Sequence, residues 1–374
     1  MPSPNMQNRL LLFIFVISAP FLPANALPAE KKIQIGALTE LTGPGAMNGT
    51  ACLNGYRIAD ELFRERNPLL AAKIEILYGD HERKQKTAIS EFRRLSSAGV
   101  WGVACNHSLV GVSINPVSKQ TGIPLFGVMG HESFVRDNPF AVRVIPTPDE
   151  EGGGLAQKAY ENGARTAAIL LLEDDYILAV GAAFEKRFIQ LGGKIVFKDS
   201  LDEGLSDFLP IASRIRSANP DVIEMTLGFQ QFGPAIKRLR EQGIRQPLYS
   251  NYWLAYPEVI EAAGAKNLEG SVFITEKSDF PRFLKTYERL APGAFRSGVV
   301  YRCYTALSVA LALLSEHSEI RTQTEYADLA RKIESVSLPD GKFELPGREA
   351  RFELELYEIR NGQSKLLRPA PRAG

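Results

Sequence analysis

Cysteine and histidine are scarce in this chain, three and four respectively among 374 residues, and charge is nearly balanced at a formal +1. Three cysteines close at most one disulfide, so no cysteine-stapled scaffold is expected. The spacing of Cys52, Cys105 and Cys303 leaves the pairing open. A near-neutral chain carries no electrostatic footprint for nucleic acid or an anionic membrane surface, so neither is expected as a partner. There is no GxSxG elbow, no HExxH pair and no GxxxxGKS or GxxxxGKT loop. His81, His107 and His131 each follow a strand-like run, but no two are spaced as ligands on one element. The expectation is no catalytic residue, no metal and no cofactor, each histidine capping a turn or touching a small ligand singly.

Long apolar runs are also few. The first, Leu10–Ala19, follows Arg9 and precedes the small-residue series Ala24-Asn25-Ala26. That layout predicts a secretory signal peptide over residues 1–26, cleaved after Ala26, and a run too short to span a bilayer comfortably. No cysteine sits at the cut to carry a lipid, so the mature chain is expected to be exported.

What the sequence does have is alternation. Strand-like runs at 32–38, 73–79, 100–105, 123–129 and 141–145 are followed by a second series at 166–172, 194–199, 221–227, 246–250 and 270–275. Helical patterns such as AISEFRRLSSAG (88–99) and FGPAIKRLREQG (232–243) lie between them. Strands rich in Val, Ile and Leu with little alternation suit parallel sheets covered on both faces. The doubled series, divided by RVIPTPDEEGGG (143–154), predicts two α/β lobes, each a doubly wound parallel sheet. Longer helical patterns at 279–291, 295–316 and 323–335, then strand-like REARFELELYEI (348–359), predict a tail that crosses back between lobes.

Ligands of open parallel sheets bind beyond the carboxyl ends of the strands. The first such end carries LTGPGAMNG (41–49), a glycine-rich turn between strand and helix. Its glycines miss the GxGxxG spacing, Pro44 removes a backbone donor, and the acid expected about 20 residues on has no good candidate at a strand end, Asp80 coming much later. Nucleotide binding is therefore not expected. Asp174-Asp175 resembles a paired acid site, yet adjacent acids ahead of a helix are better read as its cap. Gly152-Gly153-Gly154 is read as conformational freedom beside a hinge.

Taken in order, IGALTELTGPGAMNGTACLNGYRIADE, NPVSKQTGIPLFG, AILLLEDDYILAVGAAFEKRFIQLGGKIV, DFLPIASRIRSANPDVI and FGPAIKRLREQGIRQPLYS resemble the type I periplasmic solute-binding proteins. The likeness is to the branched-chain amino acid and amide-binding group of ABC uptake systems, over about residues 31–360. The resemblance implies a three-crossover hinge, with lobe 1 at 31–148 plus 271–335 and lobe 2 at 149–270 plus 336–370. All three cysteines then fall in lobe 1. It implies a cleft that holds a small organic solute, an inner-membrane ABC permease as partner, a periplasmic location and a monomer. The implied contacts are Asn48, Ser108, Gly111, Met129 and His131 from the first lobe, with Tyr176, Phe229, Asn251 and Tyr252 from the second.

Two departures bear on the solute. Amino-acid binders of this group carry a carboxylate for the ammonium where this chain has Asn251-Tyr252, although Glu40, Glu132 or Asp175 could substitute. Ile177 stands where glycine is common, so the rim is expected to be bulkier. With Tyr176, Phe229, Tyr252 and Trp253 near the cleft, an aromatic or apolar acid or amide fits these groups. The alternatives are a ligand sensor of the same fold, or an exported enzyme using a metal at His107 and His131.

Overall fold

The structure, a computed structural model, describes residues 32–43, 45–131 and 133–369. The expected signal peptide and its cut after Ala26 lie outside the described residues. Strands β1 (Ile33–Thr39), β2 (Ile74–Asp80), β3 (Gly102–Asn106), β4 (Leu125–Val128) and β5 (Ala141–Arg143) form one parallel sheet in the order β2-β1-β3-β4-β5. Strands β6 (Thr166–Leu172), β7 (Lys194–Leu201), β8 (Val222–Thr226), β9 (Leu248–Asn251) and β10 (Val272–Glu276) run parallel in a second sheet. All ten strand-like runs of the sequence become strands. The central strands are buried on both faces, β3 and β8 entirely so, which is why their sequences do not alternate, while the edge strands β2 and β7 keep exposed residues.

A hairpin of β11 (Ser335–Leu338) and β12 (Gly341–Glu344) comes next. It precedes β13 (Leu354–Arg360) and β14 (Gln363–Pro369), which join the second sheet antiparallel and give the order β14-β13-β10-β9-β8-β6-β7. The second sheet is thus mixed, because its last two strands are joined by a tight turn that permits only antiparallel pairing.

The expected lobe boundaries move at two places. Residues 272–276, assigned above to the first lobe, are β10 and hydrogen-bond between β9 and β13 in the second sheet. The hairpin at 335–344, assigned to the second lobe, instead buries Val336 and Leu338 on helix Gly298–Glu316, which itself packs on β3 and β4 of the first sheet. Glu349 bridges to Arg143 beside β5 before the chain returns to the second sheet. Three passages between sheets result, after β5, after β10 and before β13.

Helix Gly298–Glu316 is long and apolar enough to cross a membrane, but its residues are buried inside the protein. It lies against helix Ala46–Arg66 so closely that a Cβ at Gly55 would stand 2.3 Å from the Val300 carbonyl oxygen. Cys52 and Cys303 join these two helices by a disulfide, and Cys105 remains a buried free thiol. The crossover after β5 is set locally: Thr147 caps helix Pro148–Glu161, with its side chain and that of Glu150 in a reciprocal capping box and Pro148 in the first turn. Gly152 lies inside that helix, where a Cβ would meet the Val180 carbonyl oxygen at 2.1 Å. Close packing on helix Asp175–Gln190, rather than hinge freedom, accounts for it.

Candidate functional site

The carboxyl ends of the central strands of both sheets face one another across a cavity of about 550 Å³. Asn48, Ser108, Tyr176, Phe229, Asn251 and Tyr252 line it, as does Ile177 of the expected bulky rim. Gly111, Met129 and His131 do not. Met129 is fully buried and fills the space that Gly111 leaves, where a Cβ would lie 1.9 Å from the Met129 sulfur. The chain after β4 therefore tucks under helix Ser108–Thr121 instead of rising into the cleft. His131 closes the turn before helix Ser133–Arg136: its Nδ1 accepts the Ser133 N–H at 3.2 Å and lies 2.6 Å from the Ser133 hydroxyl.

The glycine-rich loop serves helix packing. A Cβ at Gly49 would stand 1.6 Å from the Glu40 carbonyl oxygen, so only glycine lets helix Ala46–Arg66 start against the end of β1. Asp80 ties the loop down, accepting the Leu41 N–H at 2.9 Å and the Thr42 hydroxyl at 2.7 Å. Burial works against its charge, but the hydrogen bonds from Thr42, Glu82 and Leu41 prevail and hold its carboxyl below the usual range.

His107 precedes helix Ser108–Thr121 at φ +80°, a backbone shape rare outside glycine, and its Nδ1 has no partner. Burial, then the positive charge of Arg83, push its pKa down to about 3, so the imidazole stays neutral. The next residue, Ser108, accepts the Gly130 N–H through its hydroxyl at 2.9 Å. His81, held neutral by burial, accepts the Arg83 N–H at Nδ1 and so donates from Nε2 to Asn106 at 3.3 Å.

On the second lobe, Asp174 caps helix Asp175–Gln190 by accepting the Tyr176 and Ile177 N–H groups, as the sequence indicated. Tyr176 presses on the first lobe at Gly130, where a Cβ would lie 2.0 Å from its ring. The Phe229 ring centre is 4.8 Å from those of both Trp253 and Tyr256. Asn251 spends its side-chain oxygen on the Trp253 N–H, which starts the short turn Tyr252–Ala255.

Sequence reasoning missed the charged frame. Arg302 lies on helix Gly298–Glu316, lines the cavity, and pairs with both Glu151 and Glu276, all three essentially buried. Its guanidinium sits 5.0 Å above the Tyr252 ring. Burial pushes the Glu151 carboxyl up, Arg302 opposes this and Glu276 adds to it. A lone arginine early in the apolar stretch GVVYRCYTALSVALALLSE was the available signal, since a buried guanidinium demands counter-charges. Arg83 was missed too; it reaches Glu203 of the other lobe at 3.2 Å. Tyr256, on the same side, donates to Asn48 across the cleft at 3.2 Å.

Of the three acids expected to replace the family's ammonium partner, Asp175 sits in a helix first turn outside the lining, and Glu132 lies outside the described residues. Glu40 lines the cavity, is 1% exposed, and its Oε2 has no partner. Burial chiefly, with Asp80 adding and Arg83 opposing, raises its pKa to about 7.

Residues 32–362 match the model of the family described as periplasmic binding protein. A Leu/Ile/Val-binding protein homolog 7 of Brucella suis is 26% identical over 231 residues, 57% of this chain and 56% of that protein. The alignment thus spans just over half the length of that curated relative. Among solved structures, the leucine-binding protein LivK of Thermotoga maritima superposes with a TM-score of 0.80 at 21% identity, covering 90% of this chain and 98% of its own. A solute-binding protein of an R. palustris ABC transporter, in complex with 4-hydroxybenzoate, gives 0.77 at 18% identity, covering 91% and 97%.

Proposed function

Because the chain belongs to the periplasmic binding protein family, whose members bind solutes and do not transform them, we propose that it captures a small organic solute between its lobes and delivers it to an ABC permease. In this reading the chain is exported to the periplasm, cleaved near Ala26, and acts as a monomer. The observation that carries it is the cavity of about 550 Å³ walled by both lobes at their strand ends, within the usual range for small-molecule sites. Asn48, Ser108, Tyr176, Phe229, Asn251 and Tyr252 are its proposed contacts. Closure follows when a solute touches both walls, because only a ligand with different affinity for open and closed forms shifts their balance. Amino acids, amides and aromatic or aliphatic carboxylates are the classes to screen, given relatives named for leucine binding and solved with 4-hydroxybenzoate.

A thermal-shift screen of those classes tests the reading. A true solute stabilises the chain by about 2.7 kcal/mol at a hundredfold excess over its dissociation constant. Small-angle scattering should show compaction with the same compound. A screen in which no compound moves the transition would overturn it.

A further inference from the structure

We propose a second binding site beside the hinge, a cavity that takes a small organic cation and so favours the arrangement in which the lobes meet. The site stands apart from the solute-capture reading; its effect on the solute rests on that reading. The cavity, of about 480 Å³, is walled by all three passages between the sheets, at Glu150, Lys277 and Glu353. Helix Gly298–Glu316 and the β11–β12 hairpin close it, at Tyr301 and Phe343 among others. Its place follows from the chain. Glu151, Glu276 and Arg302 form the buried ion cluster, and Arg302 lines the cleft. Their immediate neighbours Glu150, Lys277 and Tyr301 line the second cavity instead. The cluster thus adjoins both cavities, and a molecule in the second one touches every passage that must bend when the lobes part.

Aromatic rings and unbalanced acid give the cavity its chemistry. Phe280 and Tyr301 stack with ring centres 5.5 Å apart, Phe352 stands edge-on to Tyr301 at 6.3 Å, and Phe343 edge-on to Phe352 at 5.3 Å. Such faces attract cations, and Lys277 already holds its Nζ 5.8 Å from the Phe280 ring centre. Of the charged lining groups, Lys277 pairs with Glu353 at 3.5 Å and Lys342 with Glu344 at 3.9 Å. Glu150 spends Oε2 on the Thr147 N–H and hydroxyl. Arg351 is exposed, so salt screens its charge over about 8 Å. Asp340 is half-buried and accepts the Tyr304 hydroxyl at 3.0 Å, but among the described residues it makes no ion pair. Burial pushes its carboxyl up, opposed by the Tyr304 hydrogen bond and the more distant Arg282 and Arg66. A poorly screened acid without a cation in contact, set beside an arc of four rings, suits a cation whose charge is spread over an apolar surface, as in a quaternary ammonium.

In this structure the lobes touch, Tyr256 donating to Asn48 and Arg83 reaching Glu203. A molecule fitted to the second cavity as it stands favours that arrangement, as does a solute gripped by both walls of the cleft. Each therefore tightens the other by the same factor.

The experiment titrates the full chain calorimetrically with choline, with its uncharged carbon isostere 3,3-dimethylbutan-1-ol, and with the anion 3,3-dimethylbutanoate. Expected is choline binding at least tenfold tighter than either, weakened at least fivefold by near-isosteric Asp340→Asn, whose thermal transition serves as the folding control. The wild-type preference stands as a test even if that variant misfolds. Choline alone should lower the radius of gyration in small-angle scattering, and should tighten the better bound of leucine and 4-hydroxybenzoate about fivefold. Choline bound no better than its isosteres, unaffected by a folded Asp340→Asn, or displaced by the solute overturns the second site and leaves solute capture intact. Choline binding with unchanged radius and unchanged solute affinity overturns the coupling to the hinge. Silence from both solutes counts against the capture reading, and the second site then stands or falls on choline titration and scattering alone.

Discussion

Replacing Arg302 with methionine should leave two buried carboxylates without their counter-charge. Arg302 exposes 4% of its side chain, and Glu151 and Glu276 expose none. Removing one partner of a buried ion pair costs about 3–5 kcal/mol, because the remaining charge stays out of water uncompensated. Two carboxylates do not double that without limit, since each escapes its penalty by taking a proton. At pH 7 protonating a carboxyl with an ordinary value near 4.3 costs about 3.7 kcal/mol, and at pH 5 only about 1 kcal/mol. The loss in unfolding free energy is therefore expected to be about 3–5 kcal/mol at pH 7, and about 2 kcal/mol or less at pH 5.

The sign follows from the direction of the shift. A carboxyl whose folded pKa stands above its unfolded value favours folding below the unfolded value, and that support is lost as pH rises through the folded one. The variant should thus lose ground to the wild type as pH climbs from 5 towards 8. Urea unfolding at the two pH values measures this directly. Adding Glu151→Gln and Glu276→Gln to the variant should recover most of the loss, because an uncharged cluster carries no bare charge. A loss under about 1 kcal/mol at pH 7, or one equal at both pH values, would refute the claim that Arg302 neutralises two desolvated acids.

Gly130→Ala should weaken solute binding by more than tenfold and raise the radius of gyration of the solute-bound chain, since its Cβ would meet the Tyr176 ring of the other lobe at 2.0 Å; unchanged affinity would relocate the closing contact. Cys303→Ser should lower stability by about 2–5 kcal/mol in urea, as the Cys52–Cys303 bridge closes a loop of 251 residues, and reduction of the wild type should match it. Glu224, fully buried in β8 with one oxygen unpartnered, has its pKa raised to about 8 by burial, against a weaker opposing hydrogen bond from Thr226. Its ionisation in the unfolded chain therefore disfavours folding above the ordinary carboxyl range, and the burden stops growing above pH 8. Glu224→Gln should stabilise the protein by about 1–3 kcal/mol at pH 7 and by little at pH 4, read from urea midpoints.

The two-sheet plan was legible because buried parallel strands announce themselves as unbroken Val, Ile and Leu runs. The last strands were harder. The β11–β12 hairpin carries polar, exposed residues such as Lys342, and the helical pattern read to 335 in fact ends at Arg331. The turn signal Pro339-Asp340-Gly341 between SVSL and KFE marked that hairpin, with Gly341 at φ +130°. At the cleft, the family resemblance implied Asn48, Ser108, Tyr176, Phe229, Asn251 and Tyr252, and parallel topology brings these six to the cavity lining. The same expectation failed at Gly111, Met129 and His131, because a rule about where strands stop does not say whether the next residues rise or tuck. Arg302 escaped it altogether, since it enters the cavity from the side of a helix far along the chain.

Among the described residues, two polar contacts that cross the cleft are weak. The Arg83–Glu203 pair is half open to water, with side chains 27% and 66% exposed, and such pairs contribute about 0–1 kcal/mol. The Tyr256–Asn48 hydrogen bond adds about 1 kcal/mol net. Moving a two-state balance from mostly open to mostly closed takes about 5.5 kcal/mol of differential binding. The lobes' own polar contacts, about 1–2 kcal/mol together, only set the balance before a solute binds, so the shift itself has to come from a solute touching both walls at once. Arg302 ties the passages together: Glu151 follows the passage after β5, Glu276 precedes the one after β10, and the guanidinium between them holds both to the long helix of the first lobe.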